Sequence, residues 1–140
     1  MLSQPIRRLM ERDKMVTAAP QVSIYEVARL MLEHDVGAIA VVEDGSLTGI
    51  FTERDAVFRV IALARDVHAV SVGEVMTPQP VTVDPEVSLG RAMVLMQSHG
   101  FRHLPVVEDG KLIGMVSSRD ALDPEMEDFI CEERRRQALS

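Results

Sequence analysis

The sequence predicts a mixed α/β (α+β) fold made of two tandem β-α-β-β-α units packed about a pseudo-two-fold axis. Three observations predict it. Residues 16–55 align with residues 81–120 at a constant offset of 65, without a gap, and seventeen of the forty pairs are identical. Each copy alternates one helix-period segment with short apolar runs joined by an Asp-Gly turn. The composition is 46% hydrophobic and only 4% aromatic, dominated by Val, Leu, Ala and Met, which suits a helix-and-sheet core and excludes disorder. An internal repeat constrains architecture more strongly than any single motif. One unit of roughly 60 residues is marginal alone, so the two are expected to share their stabilisation.

In the first copy, Met15–Ala18 is a short strand ended by Pro20. Ser23 caps the following helix, with Glu26 three residues on as a capping-box partner and Val27, Leu30 and Met31 at helical spacing. Ala38–Val42 reads as a buried strand, Glu43-Asp44-Gly45 as the hairpin turn, and Leu47–Phe51 as the return strand. Thr52 opens a second helix towards Leu63. The second copy repeats this with a strand at Pro80–Val83, a helix from Ser88, strands at His103–Val107 and Leu112–Val116, and a helix from Ser117. Gly90 and Arg91 occupy its first helical turn where the first copy has Tyr25 and Glu26, so this helix start is expected to be weaker.

The expected divisions are residues 1–65 for the first repeat with its lead-in, 66–122 for the linker and second repeat, and 123–140 for a C-terminal amphipathic helix. The lead-ins match as well. IRRLMER precedes the first copy and SVGEVMTP the second, with one extra residue before the first. The tail has Asp123 as N-cap, Pro124 at the first helical position, an apolar stripe of Met126, Phe129 and Ile130, and Arg134–Arg136 late, where the helix dipole favours cations.

A net charge of −7 and a pI near 5.0 leave no basic face for nucleic acid. The single cysteine, Cys131, allows no intrachain disulfide and has no histidine near it in sequence to activate it. Apolar runs are too short for a bilayer span or a signal peptide, so the expected location is the cytoplasm, with neither membrane nor nucleic acid as partner. No Walker loop, dinucleotide fingerprint, acid–base pair or metal-ligand spacing is present, and an enzyme is not expected. His34 and His99 match each other at helix C-termini, where histidine serves the dipole.

The chemistry-bearing pattern follows each hairpin. It is Gly49-Ile-Phe-Thr52-Glu-Arg54-Asp55 in the first copy and Gly114-Met-Val-Ser117-Ser-Arg119-Asp120 in the second. A strand that delivers a hydroxyl to a helix N-terminus can place phosphate on free backbone N–H groups. An aspartate one turn in can accept two ribose hydroxyls, and the adjacent arginine can neutralise phosphate. A hydroxyl followed three residues later by an acid is equally an ordinary helix cap. Duplication copies structural residues as faithfully as functional ones, so the residues alone leave both readings open.

The blocks VMTPQPVTV, SHGFRHLPVVEDGKLIGMVSSRD and GIFTERD, twice and in order, resemble the CBS-domain pair, or Bateman module, over Ile6 to Leu122. The resemblance implies a stand-alone regulatory module with two inter-repeat clefts for an adenosine ligand of the AMP, ADP, ATP or S-adenosylmethionine class. The nucleotide would be a regulatory ligand and not a catalytic cofactor, with Mg²⁺ as an optional companion. By position, Asp55 and Asp120 would hold ribose, Thr52 and Ser117 phosphate or ribose, and Arg54 and Arg119 phosphate. Adenine would lie near Thr17 and Thr82 and the strand segments around Ala38, Ile39, His103 and Leu104. Arg102 replaces Gly37, so the Ser117–Asp120 site is expected to have an extra cation that the Thr52–Asp55 site lacks. The resemblance also implies a homodimer through the helices and a regulated protein that reads the ligand state. The alternative is a ligand-independent dimerisation or docking module.

Overall fold

Ser23 and Ser88 start the long helices of the two copies in the same way. The Ser23 hydroxyl accepts the Glu26 amide at 3.2 Å, and the Ser88 hydroxyl accepts the Arg91 amide at 3.2 Å. Each cap makes this one bond: the return bond expected from the Glu26 side chain is not formed, so Ser23–Glu26 is not a closed capping box and the two helix starts are alike in geometry. Helix α1 (Ile24–His34) ends at Asp35 and α4 (Leu89–His99) at Gly100, both in the left-handed region that terminates helices. The computed structural model describes residues 2–10, 15–121 and 124–139, the side chains of 120, 121 and 124–131 excepted.

In the first copy, β1 (Thr17–Ala18) pairs in parallel with β2 (Ala38–Glu43). Strand β2 pairs antiparallel with β3 (Ser46–Thr52), and β3 with β4 (Thr77–Pro78). The second copy has the antiparallel hairpin β5 (His103–Glu108) and β6 (Lys111–Ser117). The strand expected at Pro80–Val83 is reduced to one parallel bridge, Val83 to Val106. In the first copy Ala40 N–H donates to Val16 O at 3.0 Å; the matching residue of the second copy is Pro105, which has no N–H to make that bond. Both hairpins turn with positive φ at Asp44 and Gly45 and at Asp109 and Gly110, the conformation of a two-residue Asp-Gly turn. Both also carry a bulge at the same place, between Val41 and Val42 and between Val106 and Val107.

The helix expected from Thr52 begins as a single α-turn, α2 (Glu53–Asp55), and continues as a π-helix over Ala56–Ile61. Its counterpart in the second copy is a 3₁₀ turn, Ser118–Ala121, before helix α5 (Pro124–Leu139). The expected cap Asp123 and the stripe Met126, Phe129 and Ile130 lie outside the described side chains.

The lead-ins are exchanged between the copies. Ile6 and Met10 are buried in the second copy's core beside Leu89, Met96, Leu104, Val106 and Val116. Val72 and Val75, from the short helix α3 (Val72–Val75), are buried in the first copy's core beside Val27, Ile39, Val41 and Phe51. Backbone bonds repeat the crossing: Ile6 N–H donates to Val87 O at 2.9 Å, and Val72 N–H to Val22 O at 2.8 Å. Each returning strand carries a glycine where the other copy's lead-in crosses it. A Cβ at Gly49 would stand 2.3 Å from Met76 Sδ, and one at Gly114 2.7 Å from Met10 Sδ. At α3 the Ser71 N–H donates to the Glu74 carboxylate at 2.8 Å, and this bond holds the Glu74 carboxyl below its ordinary range.

Candidate functional site: the cleft between the copies

Thr52 and Asp55 form a closed capping box. Asp55 N–H donates to Thr52 Oγ1 at 3.2 Å, and Thr52 N–H donates to Asp55 Oδ2 at 3.0 Å. The Thr52 hydroxyl also reaches Oδ2, at 3.1 Å. The other carboxylate oxygen receives the Thr77 hydroxyl at 3.4 Å and faces Arg59 Nε at 3.5 Å. Asp55 is 8% exposed, the only buried charged residue among those described. A carboxylate offers about four lone-pair sites, and these partners already use most of them.

Beside this box is a cleft of about 850 Å³, inside the roughly 300–1,000 Å³ usual for small-molecule sites. Three stretches wall it. The first copy supplies Gly37, Ile50, Thr52 to Asp55 and Val57 to Arg59. The inter-copy segment supplies Thr77, Pro80 and Val81, and the second copy supplies His99 to His103. Arg54, Arg59 and Arg102 contribute positive charge, against Glu53 and Asp55. Arg54 lies over the Phe58 ring, its guanidinium carbon 4.6 Å from the centroid. His99 and Phe101 stack at 5.2 Å on the opposite wall. Glu53 and His103 meet at Gly37, where a Cβ would be 3.1 Å from Glu53 Oε1 and 3.3 Å from His103 Nε2. Burial pushes His103 below the ordinary histidine value; Glu53 opposes that shift, and Arg119 and Arg102 add to it.

The cleft unites Thr52, Arg54, Asp55, Arg102 and His103 of the expected site residues. Arg102 lines the wall opposite Thr52 and Asp55, so the expectation that this site lacks its charge is corrected. Position 102 follows the end of α4, and the pseudo-two-fold turns that corner onto the other copy's box. Ala38, Ile39 and Leu104 are buried, the last two inside the apolar cores, and their side chains do not line the cleft. Thr17 and Thr82 are exposed and also outside the lining. Ser117 pairs with His103 across the second hairpin, and Arg119 is exposed in the 3₁₀ turn. The Asp120 side chain is outside the described ones. Arg59 and Thr77, which hold Asp55, were missed because they lie outside the aligned repeat motif; the i, i+4 spacing of Asp55 and Arg59 was the available signal.

The sequence profile of the CBS domain matches twice, over residues 6–62 and 72–125. The chain belongs to the CBS domain family. The tandem CBS repeats are 42% identical over 107 residues to the CBS domain-containing protein YhcV of Bacillus subtilis, covering 76% of each chain. A putative signal-transduction protein with CBS domains from Burkholderia ambifaria has a similar structure, with a TM-score of 0.77 and 37% identity over 81% of this chain and 84% of that one. A CBS domain protein of Pyrobaculum aerophilum, solved in complex with AMP, shares the fold at a TM-score of 0.78 and 23% identity, covering 91% of this CBS pair and 98% of that chain. Among the described residues, no helix is long and apolar enough to cross a membrane, and no cluster of three or more His, Cys, Asp or Glu could hold a metal ion.

Proposed function

We propose that this CBS pair is a cytoplasmic regulatory module, not a catalyst, that binds an adenosine nucleotide in the cleft at Thr52 and Asp55. The observation that carries the proposal is the joint construction of that cleft. A Thr-x-x-Asp box from one copy faces Arg102 and His103 from the other across a space of ligand size. The AMP bound by the Pyrobaculum relative supports the ligand class. Ribose hydroxyls would compete for Asp55 Oδ1, the oxygen with the longer contacts, while the arginines take phosphate. A ligand spanning both copies favours one relative arrangement of them by its differential affinity for the two states. A second CBS pair, or a regulated partner protein, would read that arrangement. Exposed apolar residues on the helices, Leu32 on α1 and Phe58 and Ile61 on the π-helix, support a homodimer.

The many bonds Asp55 already makes favour a second reading, in which the box is only a helix cap and the module docks or dimerises without ligand. Thermal unfolding against AMP, ADP, ATP and S-adenosylmethionine, with and without Mg²⁺, separates the two. A binder at 100 times its Kd stabilises by about 2.7 kcal/mol, several degrees at this size. A selective shift supports the nucleotide reading, and a flat response across the panel overturns it.

A further inference from the structure

The repeat pattern draws attention to Arg54, yet the cation closest to the buried carboxylate is Arg59. Arg54 packs over Phe58. Arg59 Nε faces Asp55 Oδ1 at 3.5 Å, and its Nη1 donates to Met76 O at 3.1 Å and approaches Val75 O at 3.5 Å. One guanidinium therefore joins the ligand-facing aspartate to the end of α3, where carbonyls lack helical partners. The same turn leads into β4, whose Thr77 hydroxyl also touches Asp55.

We propose that Arg59 is a specificity-determining residue of this cleft. It selects phosphorylated over unphosphorylated adenosine ligands and couples phosphate binding to the segment 72–78. The proposal rests on the adenosine-ligand reading above. Two of the present Arg59 contacts are long, and the side chain is 48% exposed at the cleft wall. A phosphate oxygen pair offers a planar guanidinium a charge-assisted, two-pronged partner that neutral carbonyls cannot match. Turning Arg59 towards phosphate removes a donor from the carbonyls of Val75 and Met76. It also removes one of the two contacts of Asp55 Oδ1, leaving that oxygen the Thr77 hydroxyl and room for ribose. Binding is thus linked to a loosening where the first copy's core meets the lead-in of the second. The repeat-related position is Pro124, which carries no charge, so this coupling belongs to the Thr52–Asp55 cleft.

The test is calorimetric titration of the full chain with AMP and with adenosine, for wild type, Arg59→Ala and Arg59→Lys. Hydrogen exchange over residues 72–78 is followed in parallel. Arg59→Ala should weaken AMP binding roughly tenfold or more, the range of a hydrogen bond to a charged group, while adenosine affinity changes far less. Arg59→Lys should recover part of the AMP affinity. AMP should alter exchange at Gly73, Glu74 and Met76 in wild type but not in Arg59→Ala. Equal losses for AMP and adenosine would reduce Arg59 to a structural brace and overturn the proposal, as would unchanged AMP affinity. Should Arg59→Ala not fold, the AMP-to-adenosine ratio in Arg59→Lys and Arg59→Gln decides in its place. Wild type binding neither probe would defeat the adenosine-ligand reading itself, and this proposal with it.

Discussion

The two copies share their hairpins pair for pair in register, yet they part at the common Arg-Asp pair. In the first, the chain continues from the box into a π-helix that lays Phe58 and Arg59 along the cleft. In the second, a 3₁₀ turn gives way to a new helix that restarts at Pro124. Proline can begin a helix but cannot extend one, because its nitrogen has no hydrogen to donate to the preceding turn. A duplicated motif therefore sets where a polar site begins, and the unduplicated residues after it decide what that site presents to a ligand.

The largest effect should come from the exchanged lead-ins. Ile6→Ala removes a fully buried side chain from the second copy's core, and a loss of about 2–5 kcal/mol is expected. Urea unfolding followed by probes in each copy should still show one shared transition. Separate transitions for the two copies would break the claim that each core depends on the other's lead-in.

The returning-strand glycines sharpen the comparison. At Gly49 an added Cβ meets backbone, Thr77 O at 2.9 Å, as well as Met76 Sδ. At Gly114 the nearest atoms all belong to the flexible Met10 side chain. Gly49→Ala should cost about 1–3 kcal/mol, as overpacking does, and Gly114→Ala clearly less. Chemical denaturation of the two variants side by side checks the order, and equal losses would mean that Thr77 yields as readily as Met10.

The smallest effect concerns pH. Burial favours the neutral form of His103, so its folded value lies below the ordinary 6.5, and the unfolded chain takes up the proton first. Stability should be complete above 6.5 and fall as pH drops through that value towards the lower folded one. His103→Gln should flatten this slope in thermal unfolding between pH 7.5 and 5.5. A slope unchanged in the variant would assign the acid sensitivity to other groups.

The repeat, the hairpins, the helices and the Thr52–Asp55 pair were legible because each depends on local pattern: turn chemistry at Asp44-Gly45, caps at Ser23 and Ser88, and helical spacing at Val27 and Met31. The exchange of lead-ins was not. The register of IRRLMER against SVGEVMTP was visible, but which core each enters depends on long-range packing that no local propensity encodes. The same limit explains Arg102. Its position beside Gly37 in the alignment is a fact of sequence, whereas the wall it lines is set by the pseudo-two-fold. Leu104 carries the same lesson, since a strand alternates faces and the neighbouring His103 lines the cleft while Leu104 is in the core.

The crossed lead-ins also bear on how the chain is made. Ile6 and Met10 leave the ribosome about a hundred residues before Val106 and Val116, with which they share a core. The first copy can close once Val75 has emerged; the second must wait for Val116 and then recover Ile6 and Met10. Such distant closure is slow. During that delay the lead-in at Ile6 and Met10 of one nascent chain is a fitting piece for the second copy of another. At high expression, entwined dimers with traded lead-ins are the misassembly this topology invites.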